Sequence, residues 1–187
     1  MQHTNLKDYI VVLENIIPDE LCAEIIAEYS SAENWEAATT SGGLNLSVRN
    51  VDSIGISQAG ILTENVEGRK KLDLKVFDGV SIAIKKYADM FPHCHIAKDS
   101  GYDLLRYNAG QFYTEHTDSS VENPRAVSCS IALNDDFDGG EFGFFGREVV
   151  IKAPKGGAVL FPSNFMYPHE ILPVTKGTRY SVITWLI

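Results

Sequence analysis

Between residue 101 and the C-terminus, eight short apolar runs follow one another: YDLLRY, QFYTEHTD, AVSCSIAL, GEFGFF, EVVIKA, GAVLFP, HEILPV and RYSVITWLI. NAG, DDFDGG, PKGG and TKG, segments rich in turn-forming residues, punctuate them. Eight short strands with little helix between them predict an antiparallel sandwich or barrel.

The first hundred residues read differently. DYIVVLENII reads as a strand from its β-branched content. A helix is expected to begin at Pro18, a residue suited to the first helical position, with Asp19 and Glu20 complementing the helix dipole. Leu21, Ile25 and Tyr29 recur every four residues and form its buried face. A second helix is expected over 73–90, with Phe77, Val80, Ile84 and Tyr87 on one side. Between them, residues 37–70 are rich in Ser, Thr, Gly and Asn and only weakly periodic. That is long for a plain connection and predicts a mobile substrate lid or a ragged hairpin. Arg49, within it, is a candidate substrate contact. No repeat or linker divides the 187 residues, so one domain over 1–187 is expected. Residues 1–100 would give helical support and a lid, covering one side of a β core at 101–187.

Charge and cysteine usage exclude several classes of function. A formal net charge of −9 argues against a nucleic-acid binder, which would present a basic face. The one local basic cluster, Arg69, Lys70 and Lys71, reads as a solvated loop. Cys22, Cys94 and Cys129 are odd in number and scattered, so neither a disulfide framework nor a zinc motif is expected, and a reducing compartment is. The start, MQHTNLKDYIVVL, lacks the charged segment and long apolar stretch of a signal peptide. The longest unbroken apolar run, 9–13, is far too short for a membrane span. The expectation is a cytoplasmic protein without nucleic-acid or membrane partners.

The chemistry concentrates in RYNAGQFYTEHTDSS, residues 106–120. On a strand, residues i and i+2 share a face, so His116 and Asp118 would point the same way. For His-x-Asp alone a satisfied polar pair at a barrel mouth is the better explanation, because the tripeptide is common by chance. A third ligand from another strand would decide for a metal. His93 and His95 follow a helix, have no carboxylate close in sequence, and read as surface residues. His169 stands 51 residues after Asp118 and opens a later strand. Two histidines and one carboxylate fit the facial triad of non-haem Fe(II) oxygenases, which leaves positions open. Ten residues on, Arg179 shares a strand face with Ser181, Ile183 and Trp185. A buried arginine pointing inward is costly unless it meets an anion, and its planar fork matches a carboxylate. A carboxylate-binding pair beside an open Fe(II) site is what 2-oxoglutarate requires.

From about Leu104 to Ile187 the chain resembles the Fe(II)/2-oxoglutarate-dependent dioxygenases, in their prolyl 4-hydroxylase-like branch. The resemblance rests on Tyr107, Gly110–Gln111, Tyr113, His116-x-Asp118, LNDDFDGGEF, PKGGAVLFPS, His169 and Arg179-x-Ser181, in that order. It implies an α+β, mainly β architecture: a double-stranded β-helix (jelly-roll) core with N-terminal helices packed on one side. It implies His116, Asp118 and His169 as iron ligands, and Arg179 as the anchor of the cosubstrate's C5 carboxylate. Tyr107 would help hold the cosubstrate, Trp185 would line the same pocket, and Tyr113 would line the cavity or the substrate entrance. Tyr113 packing as a half-buried aromatic on the sheet is the alternative. Implied cofactors are Fe(II), 2-oxoglutarate and O2 as cosubstrate, with ascorbate as an addition. The chain departs from the pattern at Ala132, where some relatives carry a tyrosine contacting the C5 carboxylate. Ser128 or Ser130, on the same strand face, would substitute.

The expected reaction is hydroxylation of a prolyl residue in a peptide or protein; the alternative is a free amino acid or other small metabolite. A nucleic-acid demethylase would carry a second arginine six residues after Arg179, where this chain has Trp185. A halogenating enzyme would lack the metal carboxylate. A silent jelly-roll binding module is the rival from another class, and it has no use for an inward Arg179–Ser181 pair. NDDFDGGE lacks the ligand pattern of a calcium loop and reads as a hairpin turn.

Overall fold

The computed structural model describes residues 5–57 and 65–187 as two facing antiparallel sheets with two helices against the outer face of the larger one. A single 3-10 turn, Leu6–Tyr9, precedes β1 (Val11–Leu13) and α1 (Asp19–Ser30). Short strands β2 (Glu36–Ala37), β3 (Arg49–Asn50) and β4 (Asp52–Gly55) lead to α2 (Val66–Met90). The C-terminal half contributes β5 (Asp103–Asn108), β6 (Phe112–His116), β7 (Val127–Ala132), β8 (Asp138–Gly139) and β9 (Phe142–Phe144). It continues with β10 (Val149–Ile151), β11 (Ala158–Pro162), β12 (His169–Ile171), β13 (Val174–Lys176) and β14 (Thr178–Leu186). Each of the eight apolar runs supplies a strand, and the expected mainly β architecture with N-terminal helices on one side is the one observed.

The larger sheet has the order β1-β11-β7-β14-β5-β4-β2, and the smaller β10-β9-β12-β6-β3. β8 and β13 pair by themselves. Period-two alternation assigns each strand's side chains to one of two cores. Leu104, Ile131, Leu160 and Val182 face the helices, against Leu21, Ile25 and Tyr29 of α1 and Leu72, Val76, Val80 and Tyr87 of α2. Leu105, Tyr107, Val159 and Phe161 face the smaller sheet, against Phe142, Phe144 and Ile171. The strands of the larger sheet are therefore covered on both faces, which is why AVSCSIAL and GAVLFP are almost continuously apolar.

Three expectations about the N-terminal half are corrected. The strand read from DYIVVLENII is only Val11–Leu13, because the preceding residues close a 3-10 turn capped by the Asn5 side chain. α2 begins seven residues earlier than expected and is rotated: Phe77 is 49% exposed, and Val76, Gly79 and Val80 face the core. The reason is a close approach, since a Cβ on Gly79 would collide with Ile17. Arg69 is not on a solvated loop. It sits in α2, 3% exposed, with Nε donating to Glu28 Oε1 of α1 at 2.8 Å and its guanidinium 4.9 Å from the Tyr29 ring centroid.

Of the segment 37–70, β2, β3 and β4 and the Thr40–Gly43 bridge give the hairpin character, while 66–70 belong to α2. Residues 58–64, the remainder of the expected lid, lie outside the described residues. No described helix is long and apolar enough to cross a membrane.

Arg69→Ala is expected to destabilise the protein by about 2–4 kcal/mol, because it strips a largely buried ion pair of one partner. Lys70→Ala, at an exposed position, should shift stability by less than about 0.5 kcal/mol. Urea-unfolding midpoints of the two variants measure the difference, and equal midpoints would show that the α1–α2 clamp contributes nothing.

Candidate active site

The two histidines are placed by the sheet itself. His116, the last residue of β6, lies directly opposite His169, the first residue of β12. Their rings are 4.3 Å apart between centroids. Each Nδ1 faces the backbone carbonyl two residues earlier, His116 to Thr114 at 2.8 Å and His169 to Tyr167 at 3.1 Å. With Nδ1 donating there, each Nε2 is left as the lone-pair nitrogen. Both Nε2 atoms face Asp118: His116 to Oδ1 at 3.4 Å and His169 to Oδ2 at 3.6 Å.

Asp118 is not on β6, contrary to the strand expectation, because the strand stops at His116 and the chain turns. It is instead tied from other elements. Ser128 Oγ, on β7, donates to Oδ2 at 2.5 Å, Arg125 Nη1 donates to the Asp118 carbonyl at 2.9 Å, and the next residue's N–H donates to the Ser163 carbonyl. Burial alone would raise the Asp118 pKa. The facing imidazoles of His116 and His169 and the Ser128 hydroxyl outweigh it and hold the carboxyl well below its usual range. His169 is pushed down to about 4, chiefly by burial against the opposing pull of Asp118, so its imidazole is neutral near pH 7. A carboxylate and neutral imidazoles are the forms that bind metal.

One ligand atom from each of His116, Asp118 and His169 lies within 4.8 Å of the others. Among the described residues, no other group of three such side chains is close enough to hold an ion. Two imidazoles and a carboxylate, with their outer hydrogen bonds made, fit a divalent first-row metal. His93 and His95 are exposed and are not part of the cluster.

A cleft of about 430 Å³, including its open mouth, runs from this cluster between the two sheets. At its other end sits Arg179, 6% exposed. Its Nη1 donates to Ser181 Oγ at 3.0 Å, and among the described residues it forms no ion pair. Burial pulls its pKa down, against the nearby Tyr107 and Glu141. Tyr107 of β5 lies directly opposite Arg179 of β14, with the guanidinium 5.1 Å from its ring centroid. Trp185, three pleats along β14, lines the cleft. Its ring carries the Arg125 guanidinium at 3.6 Å, and its buried Nε1 has no hydrogen-bond partner.

Tyr113 stacks on the His116 ring at 3.5 Å between centroids, so it lines the cleft and packs on the sheet at once. Arg49 lies over Tyr113 at 4.9 Å, donates to the Thr39 carbonyl, and keeps a buried, unpartnered Nε. The two serines separate in role. Ser128 is committed to Asp118 and to Ser163, whereas Ser130 lines the recess beside Ala132 and Arg179. Sequence pattern does not point to Ser163 or Arg125. Alternating serines in AVSCSIAL signal inward polar groups on β7, but not their partner.

Residues 102–187 match the model of the 2OG-Fe(II) oxygenase superfamily. The solved structure of a Trichoplax adhaerens prolyl hydroxylase, in complex with a hypoxia inducible factor oxygen degradation domain peptide fragment, superposes with a TM-score of 0.78 at 17% identity, covering 96% of this chain and 83% of that one. A Pseudomonas putida prolyl-4-hydroxylase superposes at 0.71 and 22% identity, covering 95% and 92%. The fold is that of these prolyl hydroxylase structures. Its jelly roll accounts for the two facing sheets and for a site between them. In sequence, a PKHD-type hydroxylase of Picosynechococcus sp. is 37% identical over 87 residues, 43% of this chain and 39% of that protein. One of Janthinobacterium sp. is 36% identical over 94 residues, 43% and 40%. The chain thus spans about two fifths of the length of the PKHD-type hydroxylases it matches.

Proposed function

We propose that this chain is an Fe(II)- and 2-oxoglutarate-dependent dioxygenase that hydroxylates prolyl residues in a peptide or protein. The observation that carries the reading is Arg179: a buried cation without an ion-pair partner among the described residues, in the same cleft as the His116–Asp118–His169 cluster. A carboxylate ligand would satisfy it. In this reading His116, Asp118 and His169 hold Fe(II), which with 2-oxoglutarate and O2 supplies an oxidative decarboxylation giving succinate, CO2 and one hydroxyl on the substrate carbon. The protein orients and encloses. Arg179 and Ser181 grip the C5 carboxylate, Tyr107 and Trp185 wall the cosubstrate, and Tyr113 with Arg49 line the route to the substrate. Ser130, beside Ala132, takes the place of the absent tyrosine hydroxyl.

The prolyl substrate is supported by the prolyl hydroxylase structures and PKHD-type relatives above. The test is Fe(II)-dependent hydroxylation across proline-containing peptides, free proline and other amino acids, followed by mass spectrometry with and without ascorbate. Hydroxylation of free amino acids alone would replace the peptide reading and keep the chemistry. A cytoplasmic setting is part of the proposal, in keeping with three free cysteines. So is a lid made by the 38–48 loop, whose Leu44 and Leu46 are exposed. Amides in that loop should gain protection from hydrogen exchange when a substrate peptide binds. Unchanged exchange would dismiss the lid.

A further inference from the structure

The smaller sheet holds the two histidines, but its own strands do not hold the carboxylate. His116 and His169 are a directly opposed cross-strand pair, whereas Asp118 stands two residues past the end of β6. A side chain on such a turn needs its own support if a metal is to meet it in one orientation. Ser128 is the group in place to give it. It is 1% exposed on β7, and its hydroxyl lies 2.5 Å from Asp118 Oδ2 and 2.8 Å from Ser163 Oγ.

Counting protons fixes the direction of these hydrogen bonds. A carboxylate accepts, so the single proton of Ser128 goes to Asp118. In the Ser128–Ser163 contact, Ser163 must then donate. Ser163, also 1% exposed, is itself pinned by backbone bonds, its N–H donating to Ala126 and its carbonyl accepting from Ser119. The relay from Ser163 through Ser128 engages Oδ2, which also faces His169 Nε2 at 3.6 Å, and leaves Oδ1, facing His116 Nε2 at 3.4 Å, without a hydroxyl donor.

We propose that Ser128, backed by Ser163, is a positioning residue that commits Oδ2 of Asp118 and so presents Oδ1 alone to a bound metal. A metal held by His116, His169 and one oxygen of Asp118 would keep a coordination position open. A carboxylate binding through both oxygens would take a position that the cosubstrate or oxygen needs. This inference rests on the metal site proposed above.

The test uses Co(II) with the full chain, read by calorimetry and by the visible d–d absorption band, which reports coordination geometry without turnover. Ser128→Ala is expected to weaken Co(II) binding about 10-fold or more, the effect usual for loss of an outer hydrogen-bond partner, and to change the band. Ser128→Thr, which keeps the hydroxyl, should restore both. Ser163→Ala should shift both in the same direction by a smaller factor, and it carries the test alone if Ser128→Ala does not fold. A folded Ser128→Ala or Ser163→Ala protein with wild-type Co(II) affinity and an unaltered band overturns the positioning role. Wild-type protein that binds no Co(II) overturns the metal site instead, so the two failures are distinguishable.

Discussion

Asp118→Ala is expected to eliminate 2-oxoglutarate turnover and to weaken divalent-metal binding by more than the roughly 10–100-fold typical of outer-partner losses. The residue is the sole carboxylate of the cluster and faces both histidine Nε2 atoms within 3.6 Å. His116→Ala and His169→Ala should match it, since each removes one of three ligands. None of the three should unfold the chain. β6 and β12 pair through their backbones, and Asp118 lies beyond the ladder. Calorimetric titration with Mn(II), together with circular dichroism, separates loss of metal from loss of fold. A variant that hydroxylates at a near-normal rate in low iron would remove that residue from the triad.

The second large effect belongs to Arg179. Arg179→Lys keeps a positive charge but exchanges a planar fork for a point charge on a different stem. A hydrogen bond to a charged group contributes about 1.5–3 kcal/mol, so losing one should weaken 2-oxoglutarate roughly tenfold or more. Arg179→Ala should be worse, because charge and volume both go. Ser181→Ala should cost about 1 kcal/mol, as expected for a neutral hydroxyl. Metal affinity should stay near wild type in all three, because Arg179 and Ser181 are not among the three metal-ligating side chains. Titrating 2-oxoglutarate into the oxygen-inert Mn(II) protein measures each loss. An Arg179→Ala protein with wild-type 2-oxoglutarate affinity would remove the anchor.

The parts legible in the sequence are those encoded locally. The strands of residues 101–187 can be read because turn residues close each run. Alternation along RYSVITWLI is enough to put Arg179, Ser181, Ile183 and Trp185 on one face, and all four line the cleft. What the sequence hides depends on partners distant in the chain. Arg69 reads as solvated until Glu28, 41 residues earlier, is seen beside it. The rotation of α2 follows from Ile17 pressing on Gly79, a contact that hydrophobic spacing cannot register. Strand alternation directs Ser128 toward the far end of the cosubstrate, yet it serves Asp118, because the chain leaves β6 at His116 and turns the carboxylate toward β7.

The central claim is that this cleft joins O2 consumption to decarboxylation of 2-oxoglutarate, and isotopic labelling of the product tests it most directly. Incubating wild-type protein with Fe(II), 2-oxoglutarate and 18O2 is predicted to give succinate carrying one 18O atom, in amounts that fall to background in the Asp118→Ala protein. Succinate without the label, or labelled succinate formed equally by the Asp118→Ala protein, would contradict it.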